Sequence, residues 1–287
     1  MFFVNGESRA SIEISDRGFQ YGDGLFETIE VINGRPVFLD RHLKRLQAGC
    51  RRLSIPAPDL DTLASEAETL SRQSSVGGEP SSAVLKLMIT RGSGGRGYKP
   101  PDLIRPTRVF SLHPFPEYSH PYHVAGIVAR FCDTRLGLNP SLAGIKHLNR
   151  LEQVLARAEW CDPAVQEGIM LDINGYVIEG TMSNLFYIKN NILYTADLSQ
   201  AGVAGIMRGI IMMLSSQQGL AVIEDVVTQR ALLSADEVFV CNSVIGIWPV
   251  KQIETLHVPI GPVTRHIQDW VNHFKVDHFK REAFSIG

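Results

Sequence analysis

Lys146 is the side chain in this sequence best placed to do covalent chemistry. It stands in Leu142-Ala143-Gly144-Ile145-Lys146-His147-Leu148, among apolar neighbours. A lysine in apolar surroundings loses the hydration that favours its ammonium form; its pKa falls, and the neutral amine becomes a nucleophile and a base. Those are the properties of a lysine that forms a Schiff base with a carbonyl. A carboxylate, Glu179, follows in Tyr176-Val177-Ile178-Glu179, the return strand of a hairpin signalled by Asn174-Gly175. Further on, Gly202-Val203-Ala204-Gly205-Ile206-Met207-Arg208 leads into a helix expected over 206–217. The backbone N–H groups of a glycine-opened helix start suit an anion.

These groups need elements to hold them. Leu148, Leu151, Leu155 and Ala158 recur at spacings of three and four, and Asn149 with Glu152 matches a capping box. Lys146 is therefore expected at the mouth of a helix. Upstream, Asn5-Gly6 and Asn33-Gly34 signal hairpins, with strands at 1–4, 8–14, 25–31 and 35–38. The glycine-rich stretch 16–28 reads as a shaped loop running into the strand 25–31. A helix over 39–53 carries the apolar stripe Leu43, Leu46, Cys50, Leu53 and the basic residues Arg41, Lys44, Arg45, Arg51 and Arg52. A second helix is expected over 62–74, a Gly/Ser/Pro turn over 74–82, and strands over 83–90 and 107–113.

Gly92-Ser93-Gly94-Gly95-Arg96-Gly97 contains G-x-G-x-x-G, but Tyr98-Lys99-Pro100-Pro101 follows where a dinucleotide-binding helix must begin, so that reading is rejected. A loop offering Arg96 and Tyr98 to a carboxylate is preferred. The proline-rich stretch 114–121 is the expected linker between an N-terminal α/β domain (1–113) and a C-terminal domain (122–287). In the latter, strands are expected at 122–131, 167–172, 184–188, 192–195, 221–226 and 237–241. Thr228 is expected to cap a short helix, and a last helix over 262–274 to precede a polar tail.

With 287 residues, 44% hydrophobic and 20% charged, the chain is an ordinary globular protein of roughly two domains. A net charge of −2 argues against nucleic-acid binding. No apolar run reaches membrane-spanning length, and the N-terminus lacks the basic and apolar regions of a signal peptide. Four scattered cysteines without a CxxC pair fit free thiols in a reducing cytoplasm, and nine histidines without HExxH suggest no metal.

A Schiff-base lysine, a carboxylate on a hairpin, an anion-binding helix start and a basic helix are the parts that a pyridoxal phosphate site requires. At this point the chain resembles fold type IV of the pyridoxal phosphate enzymes, the branched-chain/D-amino-acid aminotransferase-like family. The resemblance is carried by Tyr21-Gly22-Asp23-Gly24-Leu25-Phe26-Glu27-Thr28, by His42 with Arg45, by Glu179-Gly180-Thr181-Met182-Ser183-Asn184, and by Gly205-Ile206-Met207-Arg208. It implies a two-domain α/β (α+β) fold and a homodimer with the site at the domain interface. By the same resemblance Lys146 and Glu179 are catalytic, with Glu179 at the pyridine nitrogen. Arg45, the N–H groups of Ile206 and Met207, and Ser243 are then expected at the cofactor phosphate. Met207 replaces a family threonine, so only its backbone can serve there.

Arg91 to Tyr98 and Leu142 to Leu155 resemble the lyase branch of the family. That branch implies 4-amino-4-deoxychorismate as substrate, 4-aminobenzoate and pyruvate as products on the way to folate, and a substrate carboxylate held by Arg96 and Tyr98. Leu151 stands where branched-chain members carry a tyrosine. An aminotransferase for D- or branched-chain amino acids is the alternative within the fold. A non-catalytic pyridoxal phosphate-binding protein is a remoter one.

Overall fold

The computed structural model describes residues 1–75, 81–118 and 120–284. The chain divides into two units: Met1–Glu117 with Ile145–Asn149, and Tyr118–Gly144 with Arg150–Gly287. Helix and sheet are mixed in both, as expected of the α/β (α+β) class.

The first unit is built on one antiparallel sheet. Its elements are β1 (Phe2–Val4), β2 (Glu7–Ser8), α1 (Arg17–Tyr21), β3 (Gly24–Ile32), β4 (Arg35–Pro36), α2 (Leu39–Arg52), α3 (Leu60–Ser71), β5 (Ser82–Thr90) and β6 (Thr107–Pro114), and the strand order is β2-β1-β6-β5-β3-β4. Both hairpin signals hold: Asn5 and Gly6, and Asn33 and Gly34, have the positive φ that a tight hairpin turn needs. Alternation puts Leu25, Glu27, Ile29 and Val31 of β3 on its buried face. α2 packs on β3 and α3 on β5 and β6, and they bury Leu43, Leu46, Cys50, Leu63, Ala67 and Leu70.

Three expectations here are corrected. The strand expected over 8–14 stops at Ser8, although Arg9 N–H still donates to the Phe2 carbonyl of β1 at 3.3 Å. The stretch 16–28 is not all loop: Asp16 caps α1 by accepting from the N–H of Gly18 at 2.8 Å, and Gly22 ends it in the left-handed conformation. The return strand expected over 35–38 is cut to Arg35–Pro36, because Phe38 takes a left-handed turn (φ 55°) into α2. Residues 92–106 contain no helix, in keeping with the rejected dinucleotide motif. Much of the turn expected over 74–82 lies outside the described residues, as does Ser119 of the expected linker.

The second unit contains α4 (Tyr122–Ala125), β7 (Ile127–Leu136), α5 (Leu151–Arg157), β8 (Glu167–Asp172), β9 (Tyr176–Gly180), β10 (Asn184–Lys189), β11 (Ile192–Ala196), α6 (Ile206–Gln217), β12 (Val222–Asp225), β13 (Val227–Thr228), α7 (Gln229–Leu233), β14 (Glu237–Asn242), β15 (Gly246–Ile253), β16 (Leu256–His257) and α8 (Pro262–Phe284). Its sheet runs β12-β11-β10-β14-β15-β7-β8-β9-β13, with β16 on β15. The pairs β11–β12, β15–β7 and β7–β8 are parallel. The core lies along this sheet and includes Ile127, Ile169, Leu171, Leu185, Val240 and Val250, with α6 and α8 packed against β14. Thr228 caps α7 as expected, accepting from Ala231 N–H at 3.1 Å.

The strand expected over 122–131 is instead a helical turn followed by β7. The helix expected over 262–274 continues to Phe284 in place of a polar tail. β15 is a central strand despite Pro249, a residue that ordinarily argues against one; the register against β7 shifts just after it, between Val250 and Gln252.

Candidate functional site

In the first unit, Lys146 lies on an extended strap, not at a helix mouth. β4 covers only the far end of β3, so the edge of β3 around Gly24–Phe26 is open to another partner. The strap fills it: Phe26 N–H donates to the Lys146 carbonyl at 3.0 Å, Leu148 N–H donates to the Gly24 carbonyl at 3.0 Å, and Leu25 bridges His147. The Lys146 ammonium sits over the Phe26 ring, 4.3 Å from its centroid. The capping box does not form. α5 starts at Leu151 with Arg150 as its N-cap; Asn149 Nδ2 donates to the Gly22 carbonyl at 3.1 Å, and Glu152 Oε1 accepts from Gly137 N–H at 2.8 Å. Leu151 and Leu155 are exposed, so the periodic leucines are not a stripe buried within the chain.

Behind the strap, α2 places His42 and Arg45 three residues apart on one face, both on Glu27 of β3. His42 Nδ1 lies 2.6 Å from Glu27 Oε2, Arg45 Nε donates to Oε1 at 2.8 Å, and Arg45 Nη2 donates to Oε2. Burial pushes the Glu27 carboxyl up, but the Arg45 charge and the His42 hydrogen bond overcome it and hold the pKa at about 2. His42 is pushed down, first by burial, with the charges of Arg45 and Lys146 adding to that and Glu27 opposing. The consistent assignment is a neutral imidazole whose Nδ1–H donates to the Glu27 carboxylate. Sequence reasoning missed this role of Glu27. The available signal was an acid at an inward position of an apolar alternation.

Arg96 and Tyr98 lie on an exposed loop that Arg17 fastens. Its Nη1 donates to the Gly97 carbonyl at 3.0 Å and its Nη2 to the Tyr98 carbonyl at 3.2 Å, while Nε pairs with Asp23 at 2.9 Å. Asp23 also takes Arg91 at 2.7 Å, and the Tyr98 ring meets Tyr21 edge-on at 5.6 Å. Loop and strap are thus both tied to α1, the loop through Arg17 and Tyr21 and the strap through the Gly22 carbonyl.

In the second unit, Glu179 is buried on β9 and its Oε2 accepts from Val203 N–H at 2.9 Å. Arg150, half-buried, feels the Glu179 charge: burial lowers its pKa, and Glu179 and Glu152 oppose that. α6 opens at Gly205 with no side chain capping it, so the N–H groups of Ile206 and Met207 form its first turn uncapped. Arg208 does not belong to that anion site. It donates to the Ala196 carbonyl at 3.0 Å and to Glu224 at 2.5 Å. Ser243 sits in a turn folded by Asn242, whose Oδ1 accepts from Val244 and Ile245 N–H at 2.8 and 2.9 Å. Within this unit, a buried carboxylate, uncapped helix N–H groups and a hydroxyl are groups of the kinds that pair with a protonated ring nitrogen and hold an anion.

The profile of the amino-transferase class IV family matches residues 24–253. An aminodeoxychorismate lyase of Vibrio harveyi is 38% identical over 276 residues, 95% of this chain and 100% of that one. The crystal structure of a 4-amino-4-deoxychorismate lyase from Pseudomonas aeruginosa is 44% identical with a TM-score of 0.90, covering 95% of this chain and 98% of that one. A branched-chain amino acid aminotransferase of Escherichia coli is 28% identical with a TM-score of 0.81, over 93% and 91% of the two chains.

The Glu27 group sets an acid limit on stability. A carboxyl whose folded pKa is depressed stabilises the fold above its unfolded pKa, and that contribution fades as pH falls toward the folded value. Unfolding free energy is therefore expected to drop from about pH 5 down to about pH 2, with a Glu27 share on the order of 3 kcal/mol at neutral pH. Glu27→Gln should lower neutral stability and flatten that slope. Urea titrations at several pH values would show an unchanged slope if the pairing does not hold.

Proposed function

We propose that this chain, which belongs to the amino-transferase class IV family, is a pyridoxal phosphate-dependent lyase that converts 4-amino-4-deoxychorismate to 4-aminobenzoate and pyruvate. The observation that carries this reading is the greater likeness to the two lyases than to the aminotransferase, over nearly the full length of each.

Pyridoxal phosphate, when bound, supplies an aldehyde for an amine and a protonated ring that draws electrons. From the first unit, Lys146 holds the cofactor through its amine and, once released, takes the proton from the substrate ring carbon that bears the amino group. Its backbone is fixed in a rung of sheet while its four-carbon stem stays free to swing. Arg45, oriented by Glu27, offers its charge to the phosphate, and Arg96 and Tyr98 grip a substrate carboxylate. From the second unit, Glu179 holds the proton on the ring nitrogen, and the N–H groups of Ile206 and Met207 with the Ser243 hydroxyl hold phosphate oxygens. Enolpyruvate leaves from the carbon next to the deprotonated one, the substrate ring becomes aromatic, and Lys146 returns the proton to give pyruvate. All atoms of the substrate appear in the two products, so no keto acid is consumed.

A second copy of the chain is proposed to cover α5. Leu151, Val154 and Leu155 form a stripe at helical spacing and are 76%, 60% and 61% exposed, much apolar surface to leave in water. A cytoplasmic location is proposed from the four cysteines, all free and three of them buried. Among the described residues, no helix is long and apolar enough to cross a membrane.

Borohydride treatment of the holoprotein should fix pyridoxal phosphate on a single peptide containing Lys146. Single turnover with 4-amino-4-deoxychorismate should then give equal 4-aminobenzoate and pyruvate without added keto acid. Accumulation of pyridoxamine phosphate, or dependence on 2-oxoglutarate, would make the protein an aminotransferase. For the assembly, sedimentation should show a dimer that Val154→Glu with Leu155→Glu converts to monomer; a wild-type monomer that is active at working concentration would refute it.

A further inference from the structure

Val203 is held by both of its backbone polar groups. Its N–H donates to Glu179 Oε2 at 2.9 Å, and its carbonyl accepts from Asn184 Nδ2 at 2.8 Å. Asn184 is buried, 6% exposed, at the first position of β10. The other end of its amide faces the start of α6: a Cβ added to Gly205 would come within 2.1 Å of Asn184 Oδ1. One buried amide therefore touches the carbonyl of the residue that Glu179 grips and the backbone from which α6 begins.

Asn184 is itself firmly placed. It pairs with Cys241 on β14. The preceding residue, Ser183, donates to Glu167 Oε2 at 2.6 Å. Glu167 Oε1 takes the N–H groups of Gly168 and Thr181 at 2.9 and 3.0 Å and the Thr181 hydroxyl at 2.6 Å. From the other side, Asn242 Nδ2 donates to the Met182 carbonyl at 3.0 Å. The turn 180–183 between β9 and β10 is thus pinned at both ends, and Asn184 emerges from it in a fixed direction.

We propose that Asn184 is a positioning residue that sets the separation between the Glu179 carboxylate and the first turn of α6, acting through Val203 and Gly205. This rests on the function proposed above, in which Glu179 meets the ring nitrogen of pyridoxal phosphate and the α6 N–H groups meet its phosphate. The cofactor ring is rigid and its phosphate arm short, so both ends must be met at one spacing; small errors in such a spacing are costly. Without the Asn184 amide, the Val203 carbonyl loses its donor and Gly205 loses the group that fills the space beside it. The two ends are then no longer held in register.

The test titrates apoprotein with pyridoxal 5'-phosphate and, separately, with pyridoxal, which has no phosphate and needs only one end. Asn184→Ala is expected to weaken pyridoxal 5'-phosphate about tenfold, the loss of about one hydrogen bond, and pyridoxal less than twofold. The pH midpoint of the visible absorption band of the bound cofactor should move upward, because a ring nitrogen less well held by Glu179 leaves the imine more basic. Gly205→Ala, which drives a Cβ into Asn184 Oδ1, should give a similar loss, and the double variant should lose less than the sum of the two.

Asn184→Asp keeps the shape but cannot donate when ionised, and it replaces the alanine variant if that one fails to fold. Equal weakening of both ligands, an unmoved midpoint or strictly additive losses would overturn the proposal. Wild-type protein and Glu179→Gln are the controls. If wild type takes up no cofactor, or Glu179→Gln leaves the midpoint unmoved, the proposed function of the site fails. If both controls behave and Asn184→Ala does not, only the role of Asn184 fails.

Discussion

β4 is two residues long, and from Gly24 to Phe26 the strand β3 has a backbone edge that the hairpin leaves unmet. A backbone N–H or carbonyl in such a place needs a partner. Here the partner is the strap, through the Lys146 carbonyl and the Leu148 N–H. The consequence is mechanical. The lysine backbone is as fixed as a strand, so the amine moves only by its own four-carbon stem. A strand rung also sets direction: Phe26 hydrogen-bonds to Lys146 and stands under its ammonium. A helix start, the arrangement expected from the leucine spacing, would have fixed the residue less tightly, because helix ends fray.

Buried acids in the two units show how the same cost is met in different ways. Glu27 and Glu167 are both about 1% exposed. Glu27 faces a guanidinium and an imidazole, and its pKa falls to about 2 despite burial. Glu167 accepts from two backbone N–H groups and two hydroxyls, and there burial wins, so its pKa is pushed up. Neutral donors satisfy a carboxylate; a cation makes it want to stay charged. Glu27 is thus an ionic anchor that orients Arg45, whereas Glu167 works as a hydrogen-bond hub for a turn.

What was legible in the sequence was mostly local. Asn5-Gly6, Asn33-Gly34, Asn174-Gly175 and Asn190-Asn191 each give a hairpin turn with positive φ, because the turn chemistry is contained in the dipeptide. α2, α6 and β8 fall close to their expected limits for the same reason. The failures involve residues whose partners are distant in sequence. Asn149 looked like a cap, but its amide is used on a carbonyl 127 residues away. The spacing of Leu151 and Leu155 signalled a helix, and α5 forms there, yet spacing alone does not distinguish a stripe buried within a chain from one left exposed. Glu27 passed as part of a motif because its partners lie on another element. Lys146, Glu179 and Arg45 were singled out through their chemistry and the family resemblance, while the strap that carries Lys146 could be seen only in three dimensions.

The fold does not by itself choose the reaction. Lyase and aminotransferase structures overlay this chain with TM-scores of 0.90 and 0.81, so the scaffold serves both branches. The choice must lie in which proton moves and in what the substrate can lose. A transaminase has to deliver a proton to the cofactor and later discharge the amino group to a second acceptor. A substrate carrying an enolpyruvyl ether beside its deprotonated carbon has a faster exit, since elimination makes an aromatic ring and removes the electrons that a transaminase would store. In the reaction proposed above, the protein has only to hold the substrate ring still while Lys146 removes a proton and returns it. A lysine whose backbone is locked into a strand edge suits that proposed chemistry, in which a mobile amine on an immobile base takes up a proton and gives it back.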